Sequence, residues 1–310
     1  MGEAQRDGRA DLERRRDGEA LADRGFVLEV VRGHGRSDAE TAGGEEQVLN
    51  LIDALRAAES DDNVSVILIR ANGPSFSGGY ALSTAPRPAA ADEPDVKSYC
   101  DDGTRPEGWI ETEEFNGWTD QWARSCLRDW MNVWELLKPV VAMVHGHCLA
   151  GGSELMSLCD IAFVADDAQI GYPPVRGMTS PDIPYFPWKM TMAQAKYLQL
   201  TGNSVTGAEA AAMGWVAKSF PPEELEQQTM RELRAMSHIA PSLLAANKES
   251  VNQAYEIMGM RTHFQQAWAM HSLSGALRPG AWDFSQRLRA GGLKAALQWR
   301  DGPARGEGFR

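Results

Sequence analysis

The chain is poor in cysteine, and the four it has are scattered. Cys100, Cys126, Cys148 and Cys159 show no CxxC spacing, and no Cys/His cluster has zinc spacing. That disfavours both a disulfide framework and a structural zinc site. Cys148 and Cys159 fall in apolar stretches and read as small reduced core residues. Long hydrophobic runs are missing too, so nothing in the sequence spans a bilayer. Residues 1–24 are charged and lack an apolar centre, which argues against a secretory signal and reads as a charged tail. Positive charge is scarce: 31 Lys and Arg against 43 Asp and Glu leave a net charge of −12. An acidic chain with no basic face is a poor partner for nucleic acid. The expectation is a cytoplasmic, metal-free protein that engages neither membrane nor nucleic acid.

Against these absences, one stretch is dense with signals: Lys138 to Ile161, KPVVAMVHGHCLAGGSELMSLCDI. A β-branched run (Val140, Val141, Val144) meets the turn Ala150-Gly151-Gly152, and a helix follows that is apolar except for Ser153, Glu154 and Ser157. A strand ending on glycines that open a helix leaves backbone N–H groups unpaired and biased positive by the helix dipole. A carboxylate three residues on, in a greasy helix, sits beside that anion hole. The combination suggests chemistry on a carbonyl or thioester.

Around this centre the pattern alternates. Strands are expected at Phe26–Arg32, Val64–Arg70 and Ile161–Ala165, with helices at Glu45–Ala58 and Trp122–Leu137. VSVILIR is so continuously apolar that it reads as a strand buried on both faces. Residues 83–120 lack periodicity and read as a surface insertion. Beyond it, Pro222–His238 and Leu243–Leu273 read as long amphipathic helices. The tail from Gly275 carries seven Lys and Arg against three Asp and Glu and reads as a basic arm. An α/β core (25–220) with a helical C-terminal extension (221–310) is the expected organisation.

Four segments in order resemble the crotonase, or enoyl-CoA hydratase/isomerase, superfamily. Phe76-Ser77-Gly78-Gly79-Tyr80-Ala81-Leu82 is similar to F-S-A-G-x-D-L. Lys138 to Ile161 is similar to K-P-x-I-A-x-V-x-G-x-x-x-G-G-G-x-E-L-x-x-x-C-D. Leu200-Thr201-Gly202 with Ala208–Val216 resembles L-T-G-…-A-x-E-A-x-x-x-G-L-V, and Asn247–Asn252 resembles the family's C-terminal lysine helix. The resemblance implies a crotonase-like spiral of ββα turns, a homotrimer or hexamer assembled through 221–310, and an acyl-CoA substrate. No permanently bound cofactor is implied, since coenzyme A arrives as part of the substrate. Carried over by position, the N–H groups of Tyr80 and Gly151 form the oxyanion hole, with Ser77 and Gly78 beside the coenzyme. The family's L-N-R-P segment near the adenine is replaced by Gly33–Ser37, which leaves Arg36 or Arg70 as the candidate for the phosphates.

Hydrating an enoyl thioester needs a water that can lose one proton and give another, and two carboxylates with separated pKa values do this. Glu154 matches the first family glutamate. Pro174 stands where the second should be, so the two-glutamate mechanism is not available in its usual form. Asp182, eight residues later, is the substitute; its spacing resembles the F-P-D-V of the acyl-CoA hydrolase branch. Arg176 is a candidate partner for Asp182. Tyr172 could reach a substrate oxygen, and His145 and His147 read as satisfied histidines. Three functions stay open: a hydratase, a thioester or β-dicarbonyl carbon–carbon hydrolase using Asp182, and a silent acyl-CoA-binding paralogue.

Overall fold

The computed structural model describes residues 26–31, 45–80, 121–277 and 284–310. The tail 1–24, the insertion 83–120 and Arg36 lie outside the described residues. The strands are β1 (Phe26–Val31), β2 (Val66–Ala71), β3 (Val140–Val144), β4 (His147–Leu149), β5 (Ile161–Ala165), β6 (Gln169–Gly171), β7 (Ser204–Thr206) and β8 (Lys218–Phe220). They form a five-stranded sheet in the order β1-β2-β3-β5-β8 and a three-stranded sheet in the order β4-β6-β7.

Every pair in the larger sheet is parallel. Parallel strands covered on both faces need apolar residues at consecutive positions, and all five residues of β3 are buried. In the smaller sheet β4 and β6 are parallel, and β7 closes it antiparallel. Ser77, in the loop after β2, makes a parallel bridge to Cys148 of β4. The chain therefore visits the large sheet, steps to the small one and leaves for a helix, first from β2, then from β3 and β4. That repeated step is the spiral of ββα turns expected from the sequence.

The helices are α1 (Glu45–Glu59), α2 (Gln121–Glu135), α3 (Gly151–Leu158), α4 (Phe186–Lys189), α5 (Met192–Thr201), α6 (Gly207–Ala212), α7 (Leu225–Ser237), α8 (Pro241–Ile257), α9 (Met260–Leu277) and α10 (Phe284–Gly306). Among the described residues no helix is long and apolar enough to cross a membrane. Two expectations are corrected. The single helix over Leu243–Leu273 is two, α8 and α9, parted at Gly259 with φ 95°. A left-handed residue cannot continue a right-handed helix, and glycine takes that conformation at least cost. The break lets α9 turn back and pack on α2.

The second concerns Arg176 and the basic arm. Most of it is α10, broken at Gly292 and docked on the short 3₁₀ turn Pro173–Arg176. Arg176 Nη1 lies 3.5 Å from Asp301 Oδ1, with both side chains buried. Its Nη2 donates to the carbonyl of Arg310 at 2.6 Å. Arg176 is thus committed to the arm and is not the partner of Asp182.

Candidate active site

Two loops converge on the start of α3. The first follows β2 and carries Ser77 to Tyr80; the second is Ala150-Gly151. Gly79 has φ 101°, and a Cβ there would stand 2.7 Å from the Ala150 Cβ and 3.6 Å from the Gly151 nitrogen. Only glycine permits that approach at that φ. Ala150 is itself unusual, with φ 52° and ψ −124° in a residue that bears a Cβ. Such a conformation costs about 1–3 kcal/mol and persists only where the surroundings impose it. Its N–H donates to the Gly171 carbonyl at 3.0 Å, while its carbonyl accepts the first bonds of α3 from Ser153 and Glu154. The Gly151 N–H, the first of the helix, has no acceptor among the described residues.

All eight residues of α3 are buried, Glu154 completely. Its Oε1 accepts the Ile183 N–H at 3.1 Å, and its Oε2 accepts the Tyr80 hydroxyl at 3.0 Å. Tyr80 in turn accepts the indole N–H of Trp130, from α2, at 2.6 Å. Burial and the neighbouring Asp182 charge push the Glu154 carboxyl well above the usual carboxylate range, against the pull of these donors.

Asp182 is buried too, so the two carboxyls expected from the sequence do come together. Its Oδ1 lies 2.7 Å from Nδ1 of His271 on α9, an ion-pair distance without hydrogen-bond alignment. The same ring nitrogen is 2.7 Å from the Thr179 hydroxyl. Two adjacent buried carboxyls resist double ionisation. Among the described residues Asp182 lies beside the imidazole and Glu154 has no cation, and burial with the Asp182 charge favours the protonated form of Glu154.

The other candidates are placed as follows. Ser77 is buried and its hydroxyl accepts the Gly79 N–H at 3.2 Å, so it shapes the loop; Gly78 is half-buried beside it. Arg70 pairs with Glu226 at 2.8 Å on the surface. Tyr172 is buried, its phenol pushed well above its ordinary pKa by burial. His145 is bonded to the Gly73 carbonyl at 2.7 Å and His147 to the Ser75 hydroxyl at 3.3 Å, the satisfied histidines expected. Cys148 and Cys159 are buried free thiols, Cys159 pushed up to about 12 by burial, and both are inert at neutral pH.

Sequence reasoning missed three side chains: the phenol of Tyr80, the indole of Trp130 and His271. Trp130 lies within the helix expected over Trp122–Leu137, and nothing in that pattern aims its indole at the site. His271 lies 89 positions from its partner on a helix that only the break at Gly259 turns toward the site. The motif around Tyr80 points to its backbone alone.

Residues 111–276 match the profile of the family described as enoyl-CoA hydratase/isomerase. EchA13 of Mycobacterium tuberculosis, a protein named for enoyl-CoA hydration, is 30% identical, the match covering 77% of this chain and 74% of that one. The 2,3-dehydroadipyl-CoA hydratase of Escherichia coli K12 is 26% identical over 72% of this chain and 77% of its own. Among solved structures, an enoyl-CoA hydratase of Mycobacterium smegmatis superposes with TM-score 0.74 at 25% identity, covering 89% of this chain and 90% of its own. An enoyl-CoA hydratase/isomerase of Xanthobacter autotrophicus Py2 gives 0.73 at 25% identity, covering 90% and 94%.

Proposed function

Because this chain belongs to the enoyl-CoA hydratase/isomerase family, we propose that it adds water across the double bond of an α,β-unsaturated acyl-CoA. The observation that carries the proposal is Glu154: a fully buried carboxyl with no cation among the described residues, one helical turn from the Gly151 N–H and beside Asp182. Burying such a group is expensive, and a site that needs a proton donor at neutral pH is a reason to keep it.

The thioester oxygen is held by the N–H groups of Tyr80 and Gly151, which bind it more strongly as it gains enolate charge; losing one such donor typically costs ~10²–10³ in rate. Asp182 takes a proton from water, the water oxygen bonds to Cβ, and the π electrons move toward the carbonyl. Glu154 gives its proton to Cα. Asp182 then gives the proton it gained to water entering the site and Glu154 regains one from that water, and the cycle closes with one water consumed. Dehydration runs the same path backward. No resident cofactor is needed; coenzyme A is the handle of the substrate, and Arg36 is kept as a candidate for its phosphates. Assembly as a homotrimer or hexamer through residues 221–310 is part of the same proposal and is read by light scattering.

The Asp182–His271 contact favours a second reading, in which Asp182 directs water at the carbonyl carbon and the thioester is cleaved. One assay separates the two. A panel of enoyl-CoA thioesters is followed for loss of conjugated absorbance and for free thiol. Loss of absorbance without thiol supports hydration, and Glu154→Gln should slow it by ~10²–10⁴. Thiol release transfers the case to the hydrolase. Coenzyme A binding with no turnover of any kind means a silent binding protein.

A further inference from the structure

Tyr80 contributes more than a backbone donor. Its ring lies flat against Gly151, where a Cβ would come within 2.8 Å of two ring carbons, so packing fixes the direction of the phenol. The hydroxyl oxygen accepts the Trp130 N–H at 2.6 Å, and its hydrogen then points to Glu154 Oε2 at 3.0 Å. Trp130 is buried in α2. The second carboxyl oxygen is held by the Ile183 N–H at 3.1 Å. Glu154 is therefore gripped at both oxygens by donors from two different loops.

We propose that the Tyr80 phenol, aimed by Trp130, is a positioning residue for Glu154: it fixes the carboxyl and sets the pH at which that group exchanges its proton. Hydrogen bonds to a carboxylate stabilise its charged form, so the phenol offsets part of what burial and Asp182 do. Besides Tyr80 and Ile183, the backbone N–H of Asp182 also favours the ionised carboxyl; the remaining groups facing Glu154 oppose ionisation or are neutral. Asp182 adds negative charge from the loop before α4, with His271 of α9 behind it. Tyr172 and Tyr185 are buried phenols held protonated. Together with the Asp182 N–H, Tyr80 and Ile183 counter the burial and the Asp182 charge that hold the proton on Glu154. The kinetic consequence rests on the hydratase reading above; the clamp on the carboxyl does not.

The test is a pH titration of the Glu154 carboxylic-acid band by difference infrared spectroscopy, the band identified by its loss in Glu154→Gln. Tyr80→Phe keeps the ring and the backbone N–H and removes the hydroxyl. We expect its titration midpoint to rise by about one pH unit. Trp130→Phe, which only weakens the phenol as a donor, should move it the same way by less, and it carries the test should Tyr80→Phe not fold. In turnover, the alkaline limb of the kcat profile, where Glu154 loses its proton, should shift upward equally while KM changes less than about threefold. A midpoint that stays put or falls in Tyr80→Phe overturns the clamp even if Glu154-dependent hydration is intact. A shifted midpoint in a protein that hydrates nothing sinks the hydratase reading and leaves the clamp standing.

Discussion

Two carboxyls mark the ends of α3, Glu154 buried and Asp160 half-buried, and they are held in opposite ways. Glu154, in its first turn, is gripped by neutral donors and faces another acid. Asp160, two residues beyond the helix, accepts the Val140 N–H at 2.7 Å and lies 2.9 Å from Nζ of Lys248 on α8. Burial raises both, but the Lys248 charge pulls Asp160 back, while Asp182 pushes Glu154 further up. A buried acid with its cation fastens two elements together. One without a cation spends stability on something other than the fold. The contrast predicts that removing the charge partner at one end is ruinous, and that removing the charge itself at the other is benign for folding and fatal for turnover.

The largest effect belongs to Lys248. Its side chain is buried, and Lys248→Met takes from Asp160 its main compensating charge, leaving only the weaker pull of Lys189 and the Val140 N–H, which should cost about 3 kcal/mol in urea unfolding. Adding Asp160→Asn should recover part of that loss. If Lys248→Met costs less than about 1 kcal/mol, the pair is not the fastener inferred, and the contrast between the two ends of α3 fails.

Glu154→Gln should do the reverse: activity falls steeply while stability holds or rises. The pH dependence gives the sign. A carboxyl raised in the folded state holds a proton that the unfolded chain has already released. Its contribution is therefore fully present below its unfolded value near 4.5 and is lost as pH climbs toward the raised folded value. Each pH unit separating the folded from the unfolded value is worth about 1.4 kcal/mol. The advantage of the glutamine variant should thus widen as pH rises from 5 toward the raised folded value. A gap that is flat with pH would mean that Glu154 is not the group carrying the raised proton affinity.

The same division explains what the sequence could convey. The buried strands were legible because a parallel sheet needs consecutive β-branched residues, as in VILIR of β2. Glu154 was legible because it interrupts an apolar helix, and Asp182 because a missing acid at Pro174 demanded a substitute within reach. The direction of the Tyr80 phenol was not, since it depends on the left-handed turn at Gly79 and on a helix 50 residues away. His271 needed the bend at Gly259. The glycine was visible between Met258 and Met260, but an isolated glycine in a helical pattern is often tolerated, and only the packing of α9 on α2 reveals the break. The fastener Arg176–Asp301 was misassigned for a similar reason: a cation near a site in sequence took its partner from the far terminus.

The backbone repeats the contrast in smaller measure. Cys159, closing α3, has φ −63° and ψ 149°, ordinary extended values, whereas Ala150 opening it has φ 52°. Ala150→Gly removes the Cβ that makes the conformation costly and should stabilise the protein by about 1 kcal/mol. An equal loss instead would mean that contact between the Ala150 methyl and the neighbouring loop outweighs the strain.

A third carboxylate calibrates the other two. Glu209 closes the capping box at the start of α6 with Thr206 and pairs with Arg310, but about half of its side chain is exposed. Its pKa is pushed down to about 2, first by the Arg310 hydrogen bond and then by the Thr206 N–H. The sign is now opposite to that of Glu154: the contribution is present above the unfolded value near 4.5 and disappears as pH falls toward 2. Water and salt screen the pair, so Arg310→Ala should cost no more than about 1 kcal/mol at pH 7, less at pH 3 and nearly nothing in 1 M salt. Comparing unfolding midpoints across those three conditions tests whether exposure sets the scale. A loss as large as that of Lys248→Met, persisting in high salt, would show that the C-terminal carbonyl bonded by Arg176 depends on the Arg310 side chain, and that the arm is held as one buried unit rather than by a solvated clasp at its tip.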